Sequence, residues 1–373
     1  MGWRVDDELQ QMLRDSARNY LGDAGGPGHF RNVRNLESGF DAVAWAQMGE
    51  LGWTGVLLPE AVGGSGLGLA SALTLAEELG RTLAPEPFVS AGVIAATLLA
   101  NSESGAATAL AGDLAQGARS VTLAWQEEPG SIGMPKIATR IAQGRLTGRK
   151  LYVPAWHAET ALLVAASDGS GAVVAVVDPA SSGVKVRSAR MNDGTFAAEL
   201  DFDNVVVAGD AVILSGLRAA ELLDLALARG AVALSAQLEG MASALWQLTV
   251  GYMQQRSQFD SKLSEFQALR HRMVDLFSEV ELAAASWRRA AEVVERGEGF
   301  GASLHAAKAR CSQVAQDMGR WAIQYHGAFG YTDEADVGLY VHSGLRWSTW
   351  LGNASAHRRA ALSAHRSTGG ANG

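Results

Sequence analysis

The spacing of apolar positions along this chain changes twice. In the first third, Val5, Leu9, Met12 and Ser16 recur at helical intervals with charged residues between them. A second helix is expected from Glu37 to Leu51, with further helices near Ala91 to Ala100 and Ala106 to Gln116. Between them Gly63, Gly64, Gly66 and Gly68 mark a tight loop. No lysine follows this loop and no strand precedes it at nucleotide-binding spacing, so a plain turn is the better reading than a phosphate cradle. At about Ala118 the period falls to two. Segments 121–130, 145–154, 160–167, 171–179 and 197–207 read as strands, some alternating and some continuously apolar, as in sheets packed on each other. Helical spacing returns at Leu217. Two stripes follow, Phe266, Leu269, Met273, Leu276, Val280 and Trp287, then Leu304, Ala307, Cys311, Val314, Met318 and Trp321. They are the seams of a helix bundle.

These changes define an α+β chain, mainly α. A helical domain covers 1–117, a middle β domain of sandwich or barrel type covers 118–215, and a four-helix bundle covers 216–366. Residues 367–373 read as a disordered tail. The 373 residues, 48% hydrophobic and 19% charged, suffice for a large core. A net charge of −8 and no long basic run argue against nucleic acid as the main partner. The N-terminal stretch is not a secretory signal and no apolar run is long enough to span a bilayer, so a soluble, cytoplasmic protein is expected. Cys311 is the only cysteine and falls in a bundle seam as a core residue. The histidines lack metal-ligand spacing, and no metal site is put forward. Asp333, Glu334 and Asp336, and the cluster His357, Arg358, Arg359, read as solvated surface.

The most informative stretch is Arg256 to Met273, RSQFDSKLSEFQALRHRM. Arg256 offers a planar fork of donors suited to phosphate oxygens. Gln258 and Gln267 suit an adenine or ribose edge, and Phe259 offers a flat packing surface. Together with LLPEAVGGSGLG, EEPG at the start of the β domain, and QYHGAFGYTDE at 324–334, this stretch resembles the acyl-CoA dehydrogenases from the first helix to about Arg366.

The resemblance implies FAD, an acyl-CoA thioester oxidised to the trans-2-enoyl-CoA, and an electron-transfer flavoprotein as acceptor. In such enzymes a carboxylate takes the α-proton while a hydride leaves the β-carbon for the flavin. The cofactor is shared between neighbouring subunits. Arg256, Gln258, Phe259, Gln267, Gln324 and Gly327 match the residues that reach over a neighbour's pyrophosphate and adenine. Asp260 and Ala328 stand where glycines are usual, and only glycine takes positive φ cheaply.

The half that covers the flavin departs further from the family. Glu127 replaces a threonine, and Tyr152, Val153, Pro154 replace an aromatic–aliphatic–threonine signature. A carboxylate at Glu127 is expected to oppose charge building on the flavin. The family's two base positions align with Gly230 and Gly352, and Glu239 is more than two helical turns from the first. No residue is therefore assigned as catalytic base. The favoured reading is a base-less subunit partnered by a catalytic relative, as in actinobacterial heteromeric enzymes acting on bulky steroid or side-chain thioesters. The chain also resembles small subunits of pimeloyl-CoA dehydrogenase. The alternatives are other flavin chemistry on the same fold, such as oxygen activation, or a homotetrameric dehydrogenase using Glu127.

Overall fold

The computed structural model describes residues 7–134, 136–297 and 300–369, so Val5 of the first stripe lies outside the described residues. The first third folds into α1 (Asp7–Asp23), α2 (Pro27–Asn35), α3 (Ala42–Glu50) and α4 (Gly68–Arg81). A π-helical stretch, Val89–Ala95, then runs into α5 (Ala96–Leu99), and α6 (Gly105–Ala115) follows. Asp41 sets the start of α3 by accepting the Val43 and Ala44 N–H groups at 2.9 and 3.1 Å. The helix therefore begins at Ala42 rather than Glu37. α2 was absent from the sequence reading, although Pro27 is a start signal. The loop of four glycines is a turn, its Gly66 N–H donating to the Leu58 carbonyl at 3.0 Å.

The buried face of α1 differs from the expected stripe. Met12 is 65% exposed, while Gln10, Ala17 and Leu21 are buried. The reason is the chemistry of α4, which buries Glu77 and Glu78. α1 answers with polar groups at helical spacing. Gln10 pairs with Ser71 and Thr74, Arg14 pairs with Glu77 at 3.2 Å, and Arg18 reaches Glu78 at 3.0 and 2.9 Å. A buried carboxylate without such partners is costly, so charge and not oil decides which face turns inward.

The middle strands are β1 (Val121–Ala124), β2 (Arg140–Ala142), β3 (Arg145–Pro154), β4 (Ala161–Ser167), β5 (Ala172–Val177), β6 (Val184–Arg190), β7 (Phe196–Val206) and β8 (Val212–Ser215). They form one eight-stranded sheet, in the order β6-β7-β3-β2-β4-β5-β8 with β1 parallel to β4. The uninterrupted apolar run of β4 reflects burial on both faces. Ala161, Leu163 and Ala165 join the helical core, while Leu162, Val164 and Ala166 join a core of the sheet's own with Leu146, Leu200 and Phe202.

The last third comprises α7 (Gly216–Gln255), a short hairpin of β9 (Ser257–Gln258) and β10 (Ser261–Lys262), α8 (Gln267–Glu295) and α9 (Ala302–His326). α10 (Val337–Trp347) and α11 (Ala354–Gly369) complete it. α11 thus continues three residues past Arg366, and 370–373 lie outside the described residues. Among the described residues no helix is long and apolar enough to cross a membrane.

α7 and α4 cross backbone to backbone. A side chain at Gly80 would collide with the Gln237 carbonyl, and one at Gly240 with the Glu77 carbonyl. Gly240→Ala is expected to lower unfolding free energy by about 1–3 kcal/mol, the usual cost of overpacking a tight contact. Denaturant titration checks this, and an unchanged midpoint contradicts the close crossing.

Candidate functional site

The six residues singled out at the end of the bundle are gathered on one exposed end, and all six are exposed. Arg256 caps α7. Its N–H donates to the Tyr252 carbonyl and its own carbonyl accepts from Leu263, both at 2.9 Å. β9 and β10 pair so that Phe259 and Asp260 form the two-residue connection, with φ +54° and +60°. Positive φ at both positions defines a type I′ turn, which matches the strand twist. Asp tolerates this region better than most non-glycine residues, so Asp260 builds the turn rather than breaking it. Ala328, by contrast, is outside the positive-φ region. The turn holds the Phe259 ring 89% exposed.

Two tyrosines join this turn to the other candidates. Tyr252 stacks on His326 at 4.2 Å and lies parallel to Phe329 at 6.2 Å. That places the Gly327 loop beside the Arg256 turn. Tyr325, next to Gln324, donates to the Leu269 carbonyl at 3.1 Å, two residues beyond Gln267. Gly327 has φ +60° and open space where a side chain would stand, leaving its backbone approachable.

A separate cavity of about 470 Å³ opens between the sheet and the α10–α11 turn. Gln126, Gly130, Tyr152 and Pro154 line one side, and Arg346, Trp347, Trp350 and Asn353 the other. β3 breaks register with β7 between Lys150 and Val153, and Tyr152 takes φ +52° there. This bulge turns Tyr152 toward the cavity. Arg346, only 8% exposed, holds Asp193 at 3.0 and 3.2 Å and packs its guanidinium on Trp347 at 4.4 Å.

The Glu127 carboxylate is engaged by groups of the protein itself. It accepts from the Ala138 and Thr139 N–H groups at 2.6 and 2.9 Å and from fully buried Lys150 at 2.6 Å. Partial burial alone would raise its pKa, but these donors outweigh that and hold it below the usual range. Burial pushes the Lys150 ammonium down to about 8. Glu127 is thus tied to Lys150, ionised, and not poised to take a proton.

The two positions aligned with the family's bases lie close together and are filled. A Cβ on Gly230 would stand 2.5 Å from Ile94 and 3.5 Å from Leu351, the residue before Gly352. A Cβ on Gly352, whose φ is +96°, would stand 2.6 Å from Ile132 and 2.8 Å from His357 Nε2. His357 is therefore no solvated surface residue, being 0% exposed. Its Nε2–H donates to the Leu351 carbonyl at 2.8 Å, and its Nδ1 then accepts from His305 Nδ1–H at 2.9 Å, a tautomer assignment that follows from the carbonyl. Burial pushes His357 down to about 3. Beside it Lys308 donates to Ser312 Oγ, the Ser348 carbonyl and the Gly352 carbonyl at 2.9, 3.2 and 3.1 Å.

Glu239 is buried at the crossing of α4, α7 and α8, and is pushed up to about 7 by burial and by Glu77. It accepts from Trp287 Nε1 at 3.3 Å and does not line the cavity. Cys311 is a buried seam residue, as expected. Asp333 and Asp336 pair with Arg34 and Arg31 at 2.6 and 3.1 Å. Ile94, His305, Lys308, and the pair of Arg346 and Asp193, were not singled out from sequence. Their importance comes from tertiary neighbours that no local spacing signals.

The chain thus comprises a helical domain, a single sheet and a helical bundle, with the cavity between the sheet and the bundle. Residues 7–117 match the acyl-CoA dehydrogenase N-terminal domain and 215–363 the C-terminal domain. FadE28, an acyl-CoA dehydrogenase of Mycobacterium tuberculosis, is 31% identical over 269 residues, which cover 69% of this chain and 75% of that protein. IpdE2, from the same organism, is 27% identical over 339 residues, 89% and 90% of the two chains. Among solved structures, a variant of the Tcur3481–Tcur3483 steroid ACAD is 27% identical with TM-score 0.88, covering 98% and 99%. The ChsE4–ChsE5 complex from M. tuberculosis, at 24% identity, TM-score 0.85 and 96% and 97% coverage, shares the fold. The chain belongs to the acyl-CoA dehydrogenase family of flavoprotein oxidoreductases.

Burial without a counter-charge pushes the Lys308 ammonium from 10.5 down to about 7. Between those values the unfolded chain carries the proton and the folded chain does not. Stability therefore rises with pH across that window, by at most about 1.4 kcal/mol per pH unit for one proton. Lys150 adds a slope of the same sign above about 8. Lys308→Met is expected to flatten the rise, read from denaturation midpoints between pH 7 and pH 10. A mutant with the unaltered slope contradicts the assignment.

Proposed function

We propose that this chain is the base-less subunit of a heteromeric FAD-dependent acyl-CoA dehydrogenase, lending its exposed bundle end to a flavin held by a catalytic relative. The observation that carries this reading is the pair Gly230 and Gly352. Neither bears a proton-accepting side chain, and the space beside them is taken by Ile94, Ile132, Leu351 and His357. Losing a positioned base typically removes about 10²–10⁴-fold in rate. The α-proton of the acyl-CoA thioester then has to be taken by the relative.

The bundle end fits FAD. Arg256 would grip the pyrophosphate, Gln258 and Gln267 would meet adenine or ribose edges, and Phe259 would pack on a flat ring. Gln324 and the bare Gly327 would admit the cofactor close to the backbone. The chemistry supplied by a bound flavin would be that of a hydride acceptor for the acyl β-carbon. An exposed Phe259 beside an exposed Arg256 makes sense on a surface that is covered in an assembly. The name of the 27% identical Tcur3481–Tcur3483 steroid ACAD joins two chains, which supports a heteromer and a bulky thioester. An electron-transfer flavoprotein as acceptor and a cytoplasmic location complete the proposal.

The cavity of about 470 Å³ favours a second reading, in which this chain keeps a flavin of its own for chemistry that needs no carboxylate, such as oxygen activation. The conventional homotetramer with Glu127 as base is disfavoured by the tether to Lys150.

Co-expression with a catalytic relative separates the readings. Arg256→Ala removes a charge-assisted contact of about 1.5–3 kcal/mol, a tenfold to hundredfold loss of FAD affinity. Tyr152→Ala, on this chain's own cavity wall, is expected to leave flavin content nearly unchanged. A flavin-to-protein ratio that collapses for Tyr152→Ala and survives Arg256→Ala reverses the roles and favours the second reading.

A further inference from the structure

A second, small pocket of about 20 Å³ lies behind Trp347 and Trp350, which also line the larger cavity and so stand between the two. Among its lining residues, three buried polar atoms find no hydrogen-bond partner among the described residues: Glu86 Oε2, Ser343 Oγ and Trp350 Nε1. They come from three parts of the chain, the segment before the π-helical stretch, α10, and the turn after α10. Glu86 is 6% exposed and Ser343 1%. The other Glu86 oxygen is already engaged with His29 Nε2 at 2.6 Å.

Native interiors rarely leave such atoms unpaired. Their chemistry is mixed: a carboxylate oxygen that accepts, an indole N–H that donates, and a hydroxyl that does either. A cation would meet the indole N–H, and an anion would meet the carboxylate. Only a small neutral group that both donates and accepts answers all three, and the volume suits a single water. We infer that this pocket is a binding site for one internal water, held by Glu86, Ser343 and Trp350. The water donates to Glu86 Oε2, accepts from Trp350 Nε1–H, and uses a remaining hydrogen or lone pair on Ser343.

The consequence reaches the larger cavity. Through His29 and Glu86 the water anchors the Trp350 wall to the N-terminal helical domain, giving the indole one orientation. Trp350 is thereby a positioned residue, and the water positions it. This inference does not depend on which subunit role the chain plays.

A crystal structure of the wild-type chain at a resolution that shows ordered solvent tests it. One solvent peak is expected within about 2.7–3.2 Å of all three atoms. A void without density overturns the inference, as does direct pairing of these atoms with protein groups. A double-mutant cycle of Ser343→Ala and Trp350→Phe gives a second reading. No hydrogen bond joins the two side chains, so a shared water predicts that the double mutant's loss of melting temperature falls short of the summed single losses. Strictly additive shifts overturn it.

Discussion

The arrangement of this molecule rests on the close approach of α4 and the π-helical stretch to the 40-residue helix α7. Glycines make it possible. Gly80 and Gly240 let two backbones touch, and Gly230 admits the Ile94 side chain where any Cβ would collide. Packing at this density tolerates no added atom without rearrangement. The same constraint that welds the N-terminal helices to the bundle also removes the room for a carboxylate at Gly230. On the reading proposed above, structural cohesion and the absence of a base at Gly230 go together.

Polar groups then do locally what glycine does along α7. Glu127, a departure from the family pattern in sequence, is held by Lys150 and two backbone N–H groups and does not line the cavity. Lys308 gathers the carbonyls of Ser348 and Gly352 and fixes the turn that carries Trp350. His357 fills the space beside Gly352. The departure at Glu127 is thus answered by partners within the protein.

Periodicity made much of the fold legible. The stripes on α8 and α9 hold because their neighbours are apolar, and the continuous run of β4 marks a strand covered on both faces. Reading failed where polar residues face inward. Gln10, Arg14 and Arg18 on α1 look solvated in sequence but serve the buried Glu77 and Glu78. His357 directly precedes two helical arginines and is still buried in the core. The Arg256 stretch was readable as a stretch because its chemistry is local, although the positive φ at Phe259 and Asp260 was not foreseen. The filling of the base positions was not, since Ile94 meets Gly230 only after the chain has folded.

The central claim is that this chain does not itself remove the α-proton. Anaerobic mixing of an acyl-CoA thioester with the purified, FAD-supplemented chain measures this directly, because flavin reduction bleaches its visible absorbance. The account predicts no bleaching above the uncatalysed background by this chain alone, and rapid bleaching once the catalytic relative is present. Full reduction by the chain alone, at a rate matching that of the mixed complex, would contradict it.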